Sequence, residues 1–390
     1  MRLSEKSGHT NTARVLRMIW LSRGISRTEL ARALRLDKST VTNIVSQLID
    51  IGIVQGTEEG KAGPLGGRKP IRLDINRSYG CVAGFEIRPD SYTATAVDLD
   101  GKILFSETAS LSASGNNLAS VFLDLLDHIS TKTTASGMRL IGAGVGVSGI
   151  VNPYSGVIYQ SIPLDIREPF DFSRAAAASL DLPVRVENDA NCCCWGELAF
   201  HKRARLQDFL FALVEFRDRR RPRVPFGGVA VGLGVVIGGR VHYGRDFSAG
   251  EFRSVYSPPG GSGQFTLTEA EMLRVQENAG LFRYFLHELA ANLALLVNTL
   301  NLSHVFIGGA IERYGKKVIP VLRQAIRDNW AYPNEVRCTI SFSSHGENAV
   351  AYGAAGMLLE RVFSQAVPGR ISGTEQDGLG LWTLIGTHAS

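Results

Sequence analysis

Lys38, Ser39, Thr40, Thr42 and Asn43 crowd into one short stretch of the chain. Together they offer the donors and acceptors that reach phosphate oxygens and base edges when a helix enters the major groove of DNA. Further along, Glu187-Asn188-Asp189 and Glu251 supply carboxylates and an amide. Such groups match the hydroxyls of a polar ligand when rigid element ends hold them. A third feature is Gly-Gly-Arg68-Lys69-Pro70, where glycines let the backbone approach a duplex and two cations can reach phosphates or a minor groove. The residues thus point to nucleic-acid reading near the N-terminus and small-molecule recognition beyond it.

The first group has a scaffold in residues 26–50 (SRTELARALRLDKSTVTNIVSQLID). Leu30, Ala31 and Leu34 fall at helical spacing, and Val41, Ile44, Val45 and Leu48 form a second stripe. Leu36-Asp37 is short enough for a tight turn. Asp37 suits an N-cap whose carboxylate accepts from free backbone N–H groups, which starts the second helix near Lys38. An amphipathic pair with an ordinary solvated face would share the stripes but would rarely collect those polar residues at the start of its second helix. Arg27 adds a cation beside the first helix.

Upstream, 12–22 (TARVLRMIWLS) predicts a helix with Val15, Leu16, Ile19 and Trp20 on one face. Downstream, 51–54 ends the second helix and begins a strand, 56–67 reads as a loop with five glycines, and 71–73 reads as the returning strand. This is the layout of a winged helix-turn-helix.

Charge agrees with that placement. Residues 1–78 hold 14 Lys+Arg against 7 Asp+Glu, an excess of 7, whereas the whole chain is +5, so the remainder is at −2. The positive excess sits on the DNA-reading module. A second basic run, 217–223 (RDRRRPR), reads as a solvated loop. With 390 residues and 44% hydrophobic content the chain has room for two or three domains with cores that need no disulfides. No run is both apolar enough and long enough to span a membrane, and no apolar leader opens the chain, so a cytoplasmic location is expected. Cys192-Cys193-Cys194 invites a metal reading, but on a helix successive side chains point about 100° apart and cannot converge on one tetrahedral ion. They read as small packing residues.

From Tyr79 onward, strand-like and helical segments alternate, which argues for an α/β architecture. Strands are expected over 80–87, 91–99, 102–105, 140–147, 184–186, 209–216, 228–237 and 305–307, and helices over 117–130, 190–200 and 281–300. Glu187, Asn188 and Asp189 then fall at a strand-to-helix junction, Ser148-Gly149 follows a buried strand, and Glu251 follows a small-residue loop.

The winged helix is followed in order by GVGVSGIVNPYSGVI (144–158), VENDANCCCWGE (186–197), GGRVHYG (238–244), SAGEF (248–252) and VFIGGA (305–310). Over residues 12–360 this resembles the ROK family of sugar-responsive transcriptional regulators and sugar kinases. The resemblance implies an actin-like (ribonuclease H-like) two-lobed fold with a sugar in the cleft, and dimers or tetramers. It also implies that Asn188 and Asp189 bind sugar hydroxyls, with Asp189 at the general-base position of the kinases, that Glu251 binds the sugar, and that Ser148 and Gly149 line the cleft. Glu187 is expected beside them.

The family pattern breaks in two places. Kinase members carry an Asp-x-Gly-Gly-Thr hairpin and a Gly-Thr-Gly segment that hold ATP phosphates. Here the first reads Glu86-Ile87-Arg88-Pro89-Asp90-Ser91 and the second Val231-Gly232-Leu233-Gly234-Val235, without the glycines of the one or the hydroxyl of the other. Phosphoryl transfer rests on positioning and charge stabilisation, so no enzymatic activity and no cofactor are expected. Many members also hold a structural zinc with a Gly-His pair and a cysteine cluster. Phe252-Arg253 stands at the pair, and 254–271 holds no cysteine or histidine, so no metal is expected. Arg253 is expected to order this loop or to donate to a sugar hydroxyl, and Gln264 is a candidate for the family's sugar-binding glutamate.

The expectation is a sugar-responsive, DNA-binding regulator, with a sugar kinase as the alternative. Its units are a winged helix-turn-helix over 1–78, a first lobe over 79–185 that takes back part of the C-terminus, and a second lobe over 186–390. The expected partners are operator DNA, a sugar or sugar derivative and a second copy of the chain in a homodimer or homotetramer, with no membrane.

Overall fold

The computed structural model describes residues 3–59, 71–111, 117–177, 182–200, 206–216, 228–260 and 263–364. The wing tip with Arg68 and Lys69, the basic run at 217–223 and the segment 367–390 lie outside the described residues.

The N-terminal unit comprises α1 (Leu3–Leu21), β1 (Ile25–Ser26), α2 (Arg27–Leu34), α3 (Lys38–Asp50), β2 (Val54–Glu59) and β3 (Ile71–Ile75). Both apolar stripes turn inward, with Leu30, Leu34, Val41, Val45 and Leu48 buried against Val15, Leu16 and Ile19 of α1. The sequence hides the cap of α2. Ser26 and Glu29 form a capping box, with Ser26 N donating to Glu29 Oε2 at 2.7 Å and Glu29 N to Ser26 Oγ at 3.3 Å. Conversely, Asp37 stands at the N-cap of α3, but its exposed carboxylate makes no capping bond and stays with solvent. Arg35, in the left-handed region at φ 53°, makes the turn between the two helices. Gly56 belongs to β2, opposite Leu73, rather than to a loop, and β1 adds a third strand, giving the order β1-β3-β2.

The first lobe is built on β4 (Cys81–Ile87), β5 (Ser91–Asp98), β6 (Ile103–Ser110), α4 (Leu118–Ala135) and β7 (Leu140–Val147). A small sheet of β8 (Ile150–Asn152), β9 (Val157–Gln160) and β10 (Phe170–Asp171) precedes α5 (Phe172–Ala177) and β11 (Val184–Asn188). The main sheet runs β11-β7-β4-β5-β6, so the first lobe reaches Asn188 rather than stopping at 185. Then come α6 (Asp189–Phe200) and the second lobe: β12 (Phe209–Phe216), β13 (Val229–Ile237), β14 (Arg240–Val241), α7 (Glu269–Met272), α8 (Ala279–Leu300), β15 (His304–Gly308), α9 (Gly315–Asp328) and β16 (Thr339–Phe342). Its sheet runs β14-β13-β12-β15-β16. The last described helix, α10 (Ala349–Ser364), returns to the first sheet.

Two helices join the lobes back to back. α6 lies on β12 and β13, α10 lies on β4 and β7, and the two pack on each other. Small residues make this possible. A Cβ on Gly353 would overlap the Cys192 carbonyl, and a Cβ on Gly84 or Gly144 would overlap carbonyls of α10 at Ala351 and Ala354. Cys192, Cys193 and Cys194 are buried in this seam, where desolvation pushes their thiols well above the usual range. α8 is long and apolar enough to cross a membrane, but Phe285, Leu289, Leu293 and Val297 are packed into the core of the second lobe.

The winged helix shares a single core with the first lobe. Trp20 of α1 stacks on Phe363 of α10 with ring centroids 4.7 Å apart and donates Nε1 to Leu99 O at 2.9 Å. Arg17 pairs with Glu360 at 3.1 Å, and Arg23 and Arg77 both reach Asp100.

Candidate functional site

The cleft begins where two parallel strands stop. β7 and β11 are neighbours with Val147 opposite Asn188, so their carboxyl ends open side by side, the usual ligand position of parallel sheets. Ser148 and Gly149 follow one strand and Asp189 the other. Ser148 Oγ donates to Asp189 Oδ2 at 2.6 Å, and Asn188 Nδ2 donates to Gly149 O at 3.0 Å, tying the two ends together. Asp189 opens α6, where a negative charge meets the positive helix end, and its Oδ1 accepts from Ala190 N at 2.8 Å.

Gly149 has φ 129°, and a Cβ there would overlap Gln160 O, so the turn admits no side chain. Across the cleft, the Gly250 carbonyl accepts from Leu233 N at 3.1 Å, and Glu251 bridges to Gly232 beside Asp189. Desolvation, followed by the charge of Asp189, raises the Glu251 carboxyl. The result is an open cleft of about 800 Å³, open solvent included, walled by Ser148, Asn188, Asp189, Glu215 and Glu251. No lysine, arginine or histidine is among its described lining residues.

Two expected residues lie elsewhere. Glu187 is fully buried beneath the cleft floor. Its Oε1 accepts from Asn188 N at 2.9 Å, and its Oε2 accepts from Tyr243 OH at 2.7 Å and Trp195 Nε1 at 3.4 Å. Burial raises its carboxyl while the Tyr243 and Asn188 bonds oppose the rise. It positions Asn188 instead of facing a ligand. Arg253 reaches Pro258 O at 2.8 Å and Ser257 Oγ at 3.3 Å, ordering its own loop outside the cleft lining.

On the winged helix, Lys38, Ser39, Thr42 and Asn43 are exposed along α3 and Thr40 is half-buried. Thr42 Oγ1 donates to Lys38 O at 2.7 Å. Arg27 is half-buried, with its Nε enclosed by protein. Arg35 is a cation that pattern reading missed. It is exposed in the turn before α3, in a left-handed backbone conformation that no sequence pattern marks.

Residues 82–260 match the ROK family model, and residues 11–58 match the MarR family model. The chain carries a ROK-family domain behind a MarR-type winged helix. The xylose repressor of Caldicellulosiruptor bescii is 26% identical over 250 residues, covering 62% of this chain and 57% of that protein. The chain thus spans less than two thirds of the length of this curated relative. Among solved structures, a ROK family transcriptional regulator homologous to the E. coli MLC protein covers 98% of this chain and 100% of its own, with a TM-score of 0.74 and 18% identity. A Streptomyces griseus ROK glucokinase, solved with glucose and AMPPNP, covers 71% of this chain and 99% of its own, with a TM-score of 0.54 and 21% identity. The ROK domain has the actin-like, two-lobed fold of these proteins.

Where ROK kinases would cradle phosphates, this domain holds charges of its own. Arg88, in the turn from β4 to β5, donates Nε to Glu86 Oε1 at 2.8 Å and lies 3.6 Å from Glu215 Oε1 on β12. Desolvation pushes the buried Glu86 carboxyl up to about 8 against the pull of Arg88. Gly232 and Gly234 belong to the continuous strand β13 and face Ala190 and Cys194 of α6. They let the helix approach the sheet and form no phosphate loop.

The loop after Glu251 offers zinc neither thiolate nor imidazole, since 254–271 holds no cysteine or histidine. Amides and a carboxylate hold the loop instead. Gln264 Nε2 donates to Val231 O at 2.7 Å and Phe252 O at 2.9 Å, and its Oε1 accepts from Val231 N at 2.8 Å. Asn292 Nδ2 donates to Ser254 Oγ at 3.0 Å, and Glu288 Oε1 accepts from Thr266 N at 3.0 Å. Gln264 borders the cleft, but its amide is already committed to the backbone, which removes it as a stand-in for a sugar-binding glutamate.

Proposed function

We propose that this protein is a sugar-responsive transcriptional repressor of carbohydrate-metabolism genes, acting in the cytoplasm as a homodimer or homotetramer. The winged helix reads operator DNA through the exposed face of α3, with Arg68 and Lys69 of the wing on phosphates or a minor groove. The cleft of the ROK domain takes the sugar, with Asn188, Asp189 and Glu251 matching its hydroxyls and Ser148 and Gly149 shaping the floor. Closing the lobes on the sugar alters the spacing of two winged helices across the assembly. The mechanism works only because the sugar favours one arrangement, since equal affinity for both would shift nothing.

The observation that carries this reading is the ion-paired Glu86–Arg88–Glu215 group standing where a kinase would hold phosphates, in a chain that retains the hydroxyl-matching cleft. Transition-state charge would find no preorganised donors there, so we propose binding without turnover. The xylose repressors among its relatives make a pentose the first sugar to try.

The deciding experiment measures binding to DNA from upstream of the protein's own gene, at fixed salt, with a panel of monosaccharides, disaccharides and sugar phosphates. Specific binding weakened by one sugar, and a response lost in Asp189→Ala or Glu251→Ala while DNA binding persists, is the expected result. Absence of specific binding, together with ATP turnover on any sugar, would replace this reading with a kinase.

A further inference from the structure

The helix α10 touches both functional ends of the molecule within its last turn. Glu360 pairs with Arg17 of α1 at 3.1 Å, with the glutamate side chain 13% exposed, and Phe363 stacks on Trp20. Between them, Arg361 points to the junction of the lobes. Its Nη1 donates to Pro153 O at 3.1 Å, and its guanidinium lies 5.8 Å from the ring centre of Tyr154. Tyr154, in the turn from β8 to β9 of the first lobe, meets Tyr243 of the second lobe edge-on at 5.7 Å and Phe247 at 6.1 Å. Phe247 holds a left-handed backbone at φ 61°, a conformation that costs a bulky side chain energy and persists where its surroundings impose it.

The same tyrosine reaches the cleft floor. Tyr243 OH donates to Glu187, which fixes Asn188 N, and the charge of Arg361 acts favourably on Glu187. Movement of one lobe against the other must therefore slide the Tyr154–Tyr243 contact under Arg361. α10 cannot absorb that motion along its length, because its backbone abuts β4, β7 and α6 at glycines.

We propose that Arg361 senses lobe closure at the Tyr154–Tyr243 contact, and that the last turn of α10 passes the displacement to the winged helix through Glu360–Arg17 and Phe363–Trp20. This inference rests on the sugar-responsive reading above. Arg361 is a positioning residue, one step removed from the sugar. The outer edge is a salt bridge that repartners easily, and the inner edge is a ring stack that moves as a body. Together they act as a hinge with a rigid pin.

The test compares the wild type, Arg361→Gln, Glu360→Gln and the charge-reversed pair Arg17→Glu/Glu360→Arg, all as full chains. D-xylose and D-glucose are the sugar probes, and DNA from upstream of the gene is the operator probe. Calorimetry gives sugar affinity, and DNA affinity is read with and without sugar. Allosteric factors are typically about 5–150-fold and reciprocal between the two ligands. In Arg361→Gln the factor is expected to drop at least about tenfold, or to near unity, while sugar-free DNA affinity and DNA-free sugar affinity each change less than about threefold. Glu360→Gln should lower the factor as well, and the reversed pair should restore it. Full coupling in both single variants, with a responsive wild type, overturns the inference alone. D-xylose and D-glucose are replaced by the responding sugar if the wider panel above supplies one; a wild type that binds operator but responds to no sugar of that panel overturns the sugar-responsive reading and this inference with it.

Discussion

Tyr243 donates its hydroxyl to Glu187 Oε2 at 2.7 Å, so a side chain of the second lobe holds a fully buried carboxylate of the first. Tyr243→Phe leaves that oxygen with only the longer bond from Trp195 at 3.4 Å. A buried acceptor deprived of its partner costs about 1–3 kcal/mol. Urea unfolding should register a loss of that size, and calorimetry should show weaker sugar binding because the carboxylate that holds Asn188 N through its other oxygen is less firmly fixed. Unchanged values in both would mean that Glu187 is held by other contacts.

Gly149→Ala tests the floor. The substitution sets a methyl group against the Gln160 carbonyl at a backbone angle few side chains adopt. Relieving it displaces Gly149 O from Asn188 Nδ2. Sugar binding is expected to vanish from calorimetry at a stability cost of about 1–3 kcal/mol, with operator binding retained. An alanine variant that binds sugar like the wild type would show that the floor is plastic.

Glu86 gives the fold a pH dependence of known sign. Its folded carboxyl titrates near 8, raised mainly by burial. A group with a raised folded pKa contributes its full stability below the ordinary carboxylate range and loses it as pH climbs toward the raised value. Glu86→Gln keeps an acceptor for Arg88 Nε and removes the titration. The variant should gain as much as about 5 kcal/mol relative to the wild type as pH rises from about 5 to about 8. Parallel stability curves for the two proteins would indicate that Arg88 keeps Glu86 ionised throughout.

Two sets of substitutions separate reading from holding on DNA. Replacing Thr42 or Asn43, exposed on α3, should relax preference at particular base pairs by about 1–3 kcal/mol each. Replacing Arg68 and Lys69 with alanine should weaken all sequences alike and lower the log–log salt slope by about one unit per lost phosphate contact. Arg35→Ala belongs with the second pair if its exposed guanidinium meets the backbone. Competition binding against altered operators, repeated across salt concentrations, distinguishes the two patterns.

Much of the architecture is legible in the chain because local patterns determine it. The stripes of α2 and α3 give one face each, and the expected strand over 209–216 coincides with β12. What escapes reading is what depends on distant partners. α10 is buried on every side between sheet and helix, so it lacks the amphipathic stripe that marks a helix. β1 and β8 to β10 are too short to show alternation. In the site, the junction of Asn188 with Asp189 is visible from the strand-to-helix change. The inward turn of Glu187 is not, because Arg185 and Glu187 alternate with Val184 and Val186 and read as a solvent-facing side, whereas Tyr243 and Trp195 cover the Glu187 carboxylate. The pairing of Arg88 with Glu215 joins segments far apart in sequence, which no spacing rule can see.

The shared core of winged helix and first lobe has a bearing on how such chains diversify. Trp20 and Phe363 lie face to face inside one continuous interior, with Leu359 and Val362 beside them. A foreign DNA-reading head grafted at residue 78 would leave these apolar surfaces naked unless it brought matching counterparts for α10. This head is therefore a poor interchangeable cassette. New operators are reached more readily by rewriting the outward face of α3, whose exposed residues contribute nothing to that interior, so the address can change while the joint that reports the sugar is inherited intact.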